Sequence, residues 1–113
     1  MKIVADKITI TELGQLAEQV FGDMVKAVVD IERDKMAVGA DMHSDEEALL
    51  LEDGSKQQDL WGINLYPGNA GGDFIEFDSL INIRPSQDNR SRGVDDAVIR
   101  GKIAALVNKL VEK

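Results

Sequence analysis

The chain has 113 residues and a formal net charge of −8 at pH 7, with 21 acidic residues, 13 basic residues and no cysteine. This length allows one domain, 1–113, with a single core, and the excess of negative charge argues against a nucleic-acid binder. Because no apolar run is long enough to cross a bilayer and the N-terminus lacks a signal-peptide pattern, we expect a cytoplasmic protein that does not enter membranes.

The first segments in chain order predict a helix followed by a β-hairpin. Apolar residues within 11–21 recur every three or four positions, which is the spacing of one helix face. Gly22 is typical of the residue that ends such a helix. Apolar residues at alternating positions in 24–31 and 35–41 predict two strands joined by a tight turn.

A second helix and three further strands are predicted next. Ser44 and Glu47 have the spacing of a capping box, so we expect a short helix whose first turn they stabilise. The alternation of apolar residues in 59–67 predicts a strand. We interpret 74–77 and 79–84 as two more short strands, because both are rich in β-branched and aromatic residues.

The last helix is predicted to begin at Asp95 or Asp96 and to carry an apolar stripe as far as Leu110. The order α-β-β-α-β-β-β-α predicts a single α+β domain, in which a mainly antiparallel or mixed sheet of about 4–6 strands packs with three helices. We expect one contiguous core from these residues: Leu13, Leu16, Val20, Val25, Val29, Trp61, Ile63, Ile81, Ile83, Ile99, Ile103, Leu106 and Leu110.

The strongest functional signal is an arginine-rich segment before the last helix. Residues 81–94 read INIRPSQDNRSRGV and bring three arginines together in an acidic chain. Arginine side chains and helix N-termini both attract phosphate and carboxylate groups. We therefore predict an arginine-loop site for a small phosphorylated or carboxylated ligand, with these binding residues: Asn82, Arg84, Ser86, Asn89, Arg90, Ser91, Arg92, Asn64 and Tyr66.

Asn64 and Tyr66 join this set because they alternate with Trp61 and so point to the opposite face of their strand. If that face also carries Asn82 and Arg84, the sheet has a polar surface beside the arginines. The alternative is that these residues form the ordinary solvent face of an antiparallel strand.

The arginines also fit a structural interpretation. Segment 41–53 holds six acidic residues and no basic one, and ion pairs between it and the arginines would rigidify the fold without binding a ligand. The chain would then be a non-catalytic interaction or structural protein, which we expect to be a homo-oligomer. A ligand-binding arginine and a structural arginine look alike in sequence, so both interpretations stay open.

His43 is the only histidine and the only candidate catalytic residue. Nearby carboxylates such as Asp41 would raise its pKa and suit it for proton transfer, which also requires a cavity close to the arginine loop. The alternative that we favour is a solvated histidine beside a helix cap. A metal site formed by Asp41, His43 and Glu47 is a loose pattern, so we predict no metal and no cofactor, and the sequence leaves open whether any reaction is catalysed.

Two blocks of the sequence resemble those of a small bacterial family of unknown function. The first is E-A-L-L-L-E-D-G-S, followed by W-G-x-N-x-Y-P, and the second is L-I-N-I-R-P-S-Q-x-N-R-S. The resemblance covers nearly the whole chain and implies a small α+β protein, but no activity. The predicted order of elements is also similar to the fold of the phosphohistidine phosphatase group. The chain lacks that group's catalytic motif, so this similarity concerns the fold alone.

Overall fold

The chain folds into three helices and seven strands, and the computed structural model describes all of it, residues 1–113. The strands are β1 (Lys2–Val4), β2 (Ile8–Thr9), β3 (Val25–Asp30), β4 (Lys35–Val38), β5 (Leu60–Leu65), β6 (Ile75–Glu76) and β7 (Val111–Glu112). The helices are α1 (Ile10–Val20), α2 (His43–Glu52) and α3 (Ala97–Leu110), and single 3-10 turns lie at Gln57–Asp59, Gly71–Asp73, Leu80–Asn82 and Pro85–Gln87. The predicted α+β class with three helices is confirmed.

The main sheet contains five strands in the order β1-β4-β3-β5-β6, and every neighbouring pair is antiparallel. Val28 lies opposite Ala37 on one side and Gly62 on the other, so β3 is the central strand. The short strands β2 and β7 form a separate parallel pair, with Ile8 opposite Val111. This pair ties the start of α1 to the end of α3.

Polar side chains cap the first and last helices. Thr9 Oγ1 accepts a hydrogen bond of 3.1 Å from Glu12 N at the start of α1, and Asp96 Oδ1 accepts one of 2.8 Å from Val98 N at the start of α3. Gly22 follows α1 with a φ of +96°, a backbone conformation that favours glycine. None of the helices has the length and apolar character that crossing a bilayer requires.

The start of α2 differs from the predicted capping box. The helix begins at His43, and the residue in the N-cap position is Met42, which has an extended backbone and makes no side-chain hydrogen bond to the helix. Ser44 therefore lies inside the first turn, where its side chain cannot act as the N-cap. The capping-box prediction for Ser44 and Glu47 is wrong, although the helix itself is confirmed.

One face of the sheet packs against α1 and α3. Buried apolar residues from the sheet and both helices form a single cluster of 19 residues, which includes Leu13 and Ile103. The prediction that the first and last helices share one core is confirmed. Three predicted members lie elsewhere: the residues Val20 and Ile83 are 38% and 42% exposed, and Ile81 packs on the opposite face of the sheet.

The opposite face of the sheet is covered by α2 and by the 3-10 turn Leu80–Asn82. Val28 and Leu50 are buried there in a second, smaller cluster. The prediction of a strand over 79–84 is wrong, because the side-chain amide of the buried Asn82 bonds to β5 in place of a strand backbone. The molecule is therefore a single α+β domain with three layers, and its second layer of helix and turn carries the candidate site.

Candidate functional site

A cavity of about 230 Å³ lies between the start of α2, strand β3 and the turn Leu80–Asn82. Its volume is below the range of about 300–1,000 Å³ that drug-sized ligands occupy, so it suits a ligand of few atoms. It is lined by Lys26, Asp41, Met42, His43, Ser44, Ser79, Leu80, Ile81 and Arg92.

Lys26 brings a positive charge to this cavity from the central strand. Its neighbours Val25 and Ala27 face the large core, so the alternation along β3 directs Lys26 to the layer of α2. Its ammonium group lies 5.4 Å from the centre of the Phe21 ring. No carboxylate forms an ion pair with it.

Arg92 brings the second positive charge. Its backbone carbonyl accepts hydrogen bonds from Ser79 N at 2.9 Å and from Asn82 Nδ2 at 3.0 Å, which fix this part of the segment. Its Nε donates to Asp78 Oδ1 at 2.6 Å, while its two Nη atoms have no partner within the chain. The planar end of the guanidinium group is therefore free to bind a further oxygen atom.

His43 lies at the first position of α2 with its ring buried against β5. Its Nε2 is 2.8 Å from the carbonyl oxygen of Ile63. Because a carbonyl oxygen only accepts hydrogen bonds, Nε2 carries the hydrogen, and Nδ1 of the neutral ring is the acceptor. The interpretation of His43 as a solvated histidine is wrong.

The pKa of His43 is shifted in the opposite direction from the one we expected. Burial lowers it, and the positive charges of Lys26 and Arg92 act in the same sense, while Asp78 and the bond to Ile63 raise it. The ring is therefore neutral at pH 7. His43 and Arg92 line the same cavity, and a role of His43 in proton transfer stays a prediction.

Glu46 is a buried acid next to this site and was not among the predicted site residues. It lies one turn after His43 in α2, and its Oε2 accepts a 3.0 Å hydrogen bond from Ala40 N. Its Oε1 is buried without a partner. Burial raises the pKa of Glu46 to about 9, so the carboxyl group is protonated at neutral pH.

Arg84 is engaged by the fold and lies outside the cavity. Its Nη1 donates to Gln57 O at 2.6 Å, its Nη2 donates to Leu60 O, and its guanidinium group stacks on Trp61 at 4.3 Å from the ring centre. Burial lowers the pKa of this guanidinium. Arg84 therefore holds the outer edge of β5 and has little capacity left for a ligand.

The rest of the arginine segment binds mostly to itself. Asn89 Nδ2 donates to Asn82 O at 2.7 Å and to Gly93 O at 2.8 Å, and Ser91 Oγ donates to Asp95 Oδ1 at 2.5 Å. The side chains of Arg90 and Ser86 are exposed and make no hydrogen bond within the chain.

Asn64 and Tyr66 bond to β6 instead of the cavity. Asn64 Nδ2 and Tyr66 Oη both donate to Glu76 Oε1, at 2.8 Å and 3.0 Å. Of the predicted ligand-binding residues, only Arg92 lines the cavity, where it joins the predicted catalytic candidate His43 and the unpredicted Lys26.

The predicted pairing of the arginine loop with acidic segment 41–53 is wrong. The loop forms one ion pair, between Arg92 and Asp78, whereas Asp53 pairs with Arg33 and Lys35.

The chain nowhere gathers three acidic or histidine side chains in a geometry that suits a metal ion, so Asp41, His43 and Glu47 do not converge.

A family model described as "Protein of unknown function (DUF5674)" matches residues 2–110. The chain belongs to this family. Membership in DUF5674 confirms the resemblance to a small family of unknown function, while its bacterial range and the similarity to the phosphohistidine phosphatase group stay predictions. No curated protein and no solved structure matches the chain.

The cavity of this DUF5674 member combines a mainly positive charge with the neutral ring of His43, which can accept a proton. Lys26 and Arg92 are cationic, the start of α2 presents backbone N–H groups that no side chain caps, and His43 is neutral. Asp41 is the one carboxylate among the lining residues. This arrangement favours an oxygen anion of small size.

Proposed function

We propose that the chain binds a small phosphorylated or carboxylated ligand in the cavity between α2 and the turn Leu80–Asn82. The observation that carries the proposal is that Lys26 and Arg92 line the same cavity at the start of helix α2. Lys26 has no ion-pair partner, and Arg92 keeps both Nη atoms unoccupied. An acidic protein needs such a local concentration of positive charge, because its overall field repels anions.

The helix start adds to this local field. The first backbone N–H groups of a helix lack partners within the helix, and the macrodipole makes that end positive. The preferred N-cap residues serine, threonine, aspartate and asparagine accept a hydrogen bond from one of these groups. In α2, Asp45 N donates to Met42 O at 3.2 Å, while the N–H groups of His43 and Ser44 have no partner within the chain. An anion in the cavity can therefore accept hydrogen bonds from these two groups.

His43 selects the protonation state of the ligand. Its Nε2 hydrogen is held by the Ile63 carbonyl, so Nδ1 accepts a hydrogen bond from a ligand hydroxyl or from a protonated phosphate oxygen. The same atom is the group that would take up a proton in a reaction. The proposal concerns binding and assigns no reaction.

A non-catalytic interaction or structural role, as a homo-oligomer, is the second candidate function. It is supported by Arg84 and Asn89, whose side chains are committed to backbone carbonyls of the chain itself. This network lies beside the cavity and does not occupy it. Sedimentation of the purified chain as a monomer at all concentrations would remove the oligomeric role.

Titration with inorganic phosphate, followed by two-dimensional NMR, tests the ligand-binding proposal. We expect Arg92→Ala and Lys26→Met each to weaken binding by about tenfold or more, which corresponds to the loss of one charge-assisted contact. Arg90→Ala is the matched control, because it removes an arginine of the same segment that does not line the cavity. Equal losses in the Arg90 and Arg92 variants, or no binding by the parent chain, would reject the proposal.

A further inference from the structure

The cavity has an apolar rim beside its charged groups. Met42 and Leu80, from two different segments, both line it and are 57% and 67% exposed. Single exposed apolar side chains are ordinary on protein surfaces. Two exposed apolar side chains that border the same charged cavity are a feature typical of a binding site.

Leu80 is held in this exposed position by the fold. The residue before it, Ser79, is buried, donates its backbone N–H to Arg92 O at 2.9 Å, and accepts a bond from Ile81 N at its hydroxyl. The residue after it, Ile81, packs into the second core. Because both neighbours are fixed, the side chain of Leu80 stays at the cavity rim and remains exposed.

Met42 stands where a polar residue would stabilise the helix. Replacing a good N-cap side chain by an apolar one destabilises a helix. Met42 makes no capping hydrogen bond and exposes most of its apolar side chain. Both properties fit a ligand whose anionic end meets the helix start and whose apolar part contacts the thioether.

We propose that the anion bound here carries a short apolar group, which packs between Met42 and Leu80 while the anionic end reaches Arg92 and Lys26. This inference rests on the proposed function and adds the class of ligand: an alkyl or aryl phosphate monoester, or a carboxylate with a comparable chain. Each methylene group buried against the rim strengthens binding about fourfold.

A chain-length series tests this inference. The probes are inorganic phosphate with methyl, ethyl, propyl and butyl phosphate, and a parallel series of acetate, propionate, butyrate and valerate. We expect the affinity of at least one series to rise by about fourfold per added methylene over the first two or three steps. In Leu80→Ser, the rise should flatten while the affinity for the shortest anion stays unchanged.

Val98→Ser is the matched control, because Val98 is also 67% exposed and does not line the cavity. It should leave the whole series unchanged. If inorganic phosphate or acetate binds but neither series depends on chain length, the apolar inference is wrong and the anion site stands. If no anion of either series binds, the proposed function fails and the inference fails with it. An equal flattening in Leu80→Ser and Val98→Ser would also overturn the inference.

Discussion

The side-chain amide of Asn82 makes two hydrogen bonds with the backbone of Gly62: Oδ1 accepts from Gly62 N at 2.8 Å, and Nδ2 donates to Gly62 O at 2.9 Å. This contact replaces a neighbouring strand along part of β5. The backbone of β6 pairs with β5 only at Asn64 and Leu65. Asn82 therefore satisfies the exposed edge that β6 leaves open, and such edges otherwise promote pairing with other chains.

Replacement of Asn82 by alanine should lower the free energy of unfolding by about 2–6 kcal/mol. The change leaves a buried N–H and a buried carbonyl of Gly62 without partners, and each unsatisfied group costs about 1–3 kcal/mol. Urea denaturation measures the loss. Asn69→Ala is the control, since the side chain of the exposed Asn69 makes only one weak bond, to Asp73 O at 3.4 Å. A loss below about 1 kcal/mol for the Asn82 variant would contradict the edge role.

Gly62 should tolerate no side chain. A Cβ atom at this position would lie 2.5 Å from Cβ of Ser79, so Gly62→Ala should destabilise the fold by at least about 1–3 kcal/mol through overpacking. Gly14 in α1 offers the opposite case, because nothing lies within 4 Å of its added Cβ. Gly14→Ala should therefore stabilise the fold by about 0.5–1 kcal/mol. Thermal denaturation measures the stability of both variants. A Gly62→Ala variant more stable than the Gly14→Ala variant would contradict the close contact between Gly62 and Ser79.

Arg84 and Arg92 should respond to alanine substitution in opposite ways. Arg84→Ala should destabilise the fold by about 1.5–3 kcal/mol, because bonds from a charged donor to Gln57 O and Leu60 O are lost. It should leave the affinity for phosphate unchanged. Arg92→Ala should change stability by at most about 1 kcal/mol, because its pair with Asp78 is exposed, and should weaken phosphate binding.

Lysine in place of Arg84 should fail to restore stability, since one ammonium group cannot reproduce the planar contacts with two carbonyls and Trp61. Denaturation with and without phosphate measures both properties in each variant. If Arg84→Ala strongly lowers the affinity for phosphate and leaves stability unchanged, the ligand binds at the predicted arginine loop and not in the cavity.

Glu46 should make the fold less stable as pH rises from 7 to 9. Its pKa in the folded state, about 9, lies above its ordinary value of 4.5, so the unfolded chain releases a proton that the folded chain keeps. The free energy of unfolding then falls by up to about 1.4 kcal/mol per pH unit between these two pKa values. Glu46→Gln should remove this slope and stabilise the fold at pH 8.

The effect of Glu46 on stability is separable above pH 7, because His43 changes stability in the opposite direction below pH 7. Its lowered pKa means that the unfolded chain binds a proton that the folded chain does not, so stability falls as pH falls through about 6.5. Glu52→Gln, which changes an exposed acid of the same helix, should keep the parent slope. A parent chain whose stability is flat from pH 7 to 9 would show that Glu46 is ionised in the fold.

The sequence predicted those elements that bury a periodic apolar face. The alternation in β3 and β5 and the stripe of α3 identify them without tertiary information, because burial on one face imposes the period. The turn Leu80–Asn82 escaped this approach. Its apolar residues match a strand, but the bond of Asn82 to Gly62 fixes its backbone. Strands β1, β2 and β7 contain two or three residues each, too few to show a period.

The candidate site was predictable only in part, for a similar reason. The clustering of arginines pointed to the correct segment, and His43 was singled out as the only histidine. The spacing of the arginines in the sequence could not predict their different environments. Arg92 lines the cavity, while Arg84 lies on Trp61. Lys26 stands in a strand far away in sequence and reaches the cavity only through the order of strands in the sheet.

The single histidine offers the most direct measurement of whether an anion binds in this cavity. The proton on Cε1 of the His43 ring gives one NMR signal, which we expect to titrate with a pKa below the ordinary value of about 6.5. Inorganic phosphate should shift this signal and raise the pKa of His43, because a bound anion favours the imidazolium form. Sodium chloride at equal ionic strength should do neither. The shift should persist in Arg90→Ala and should require about tenfold or more phosphate in Arg92→Ala. A His43 signal and pKa that phosphate leaves unchanged would contradict the account.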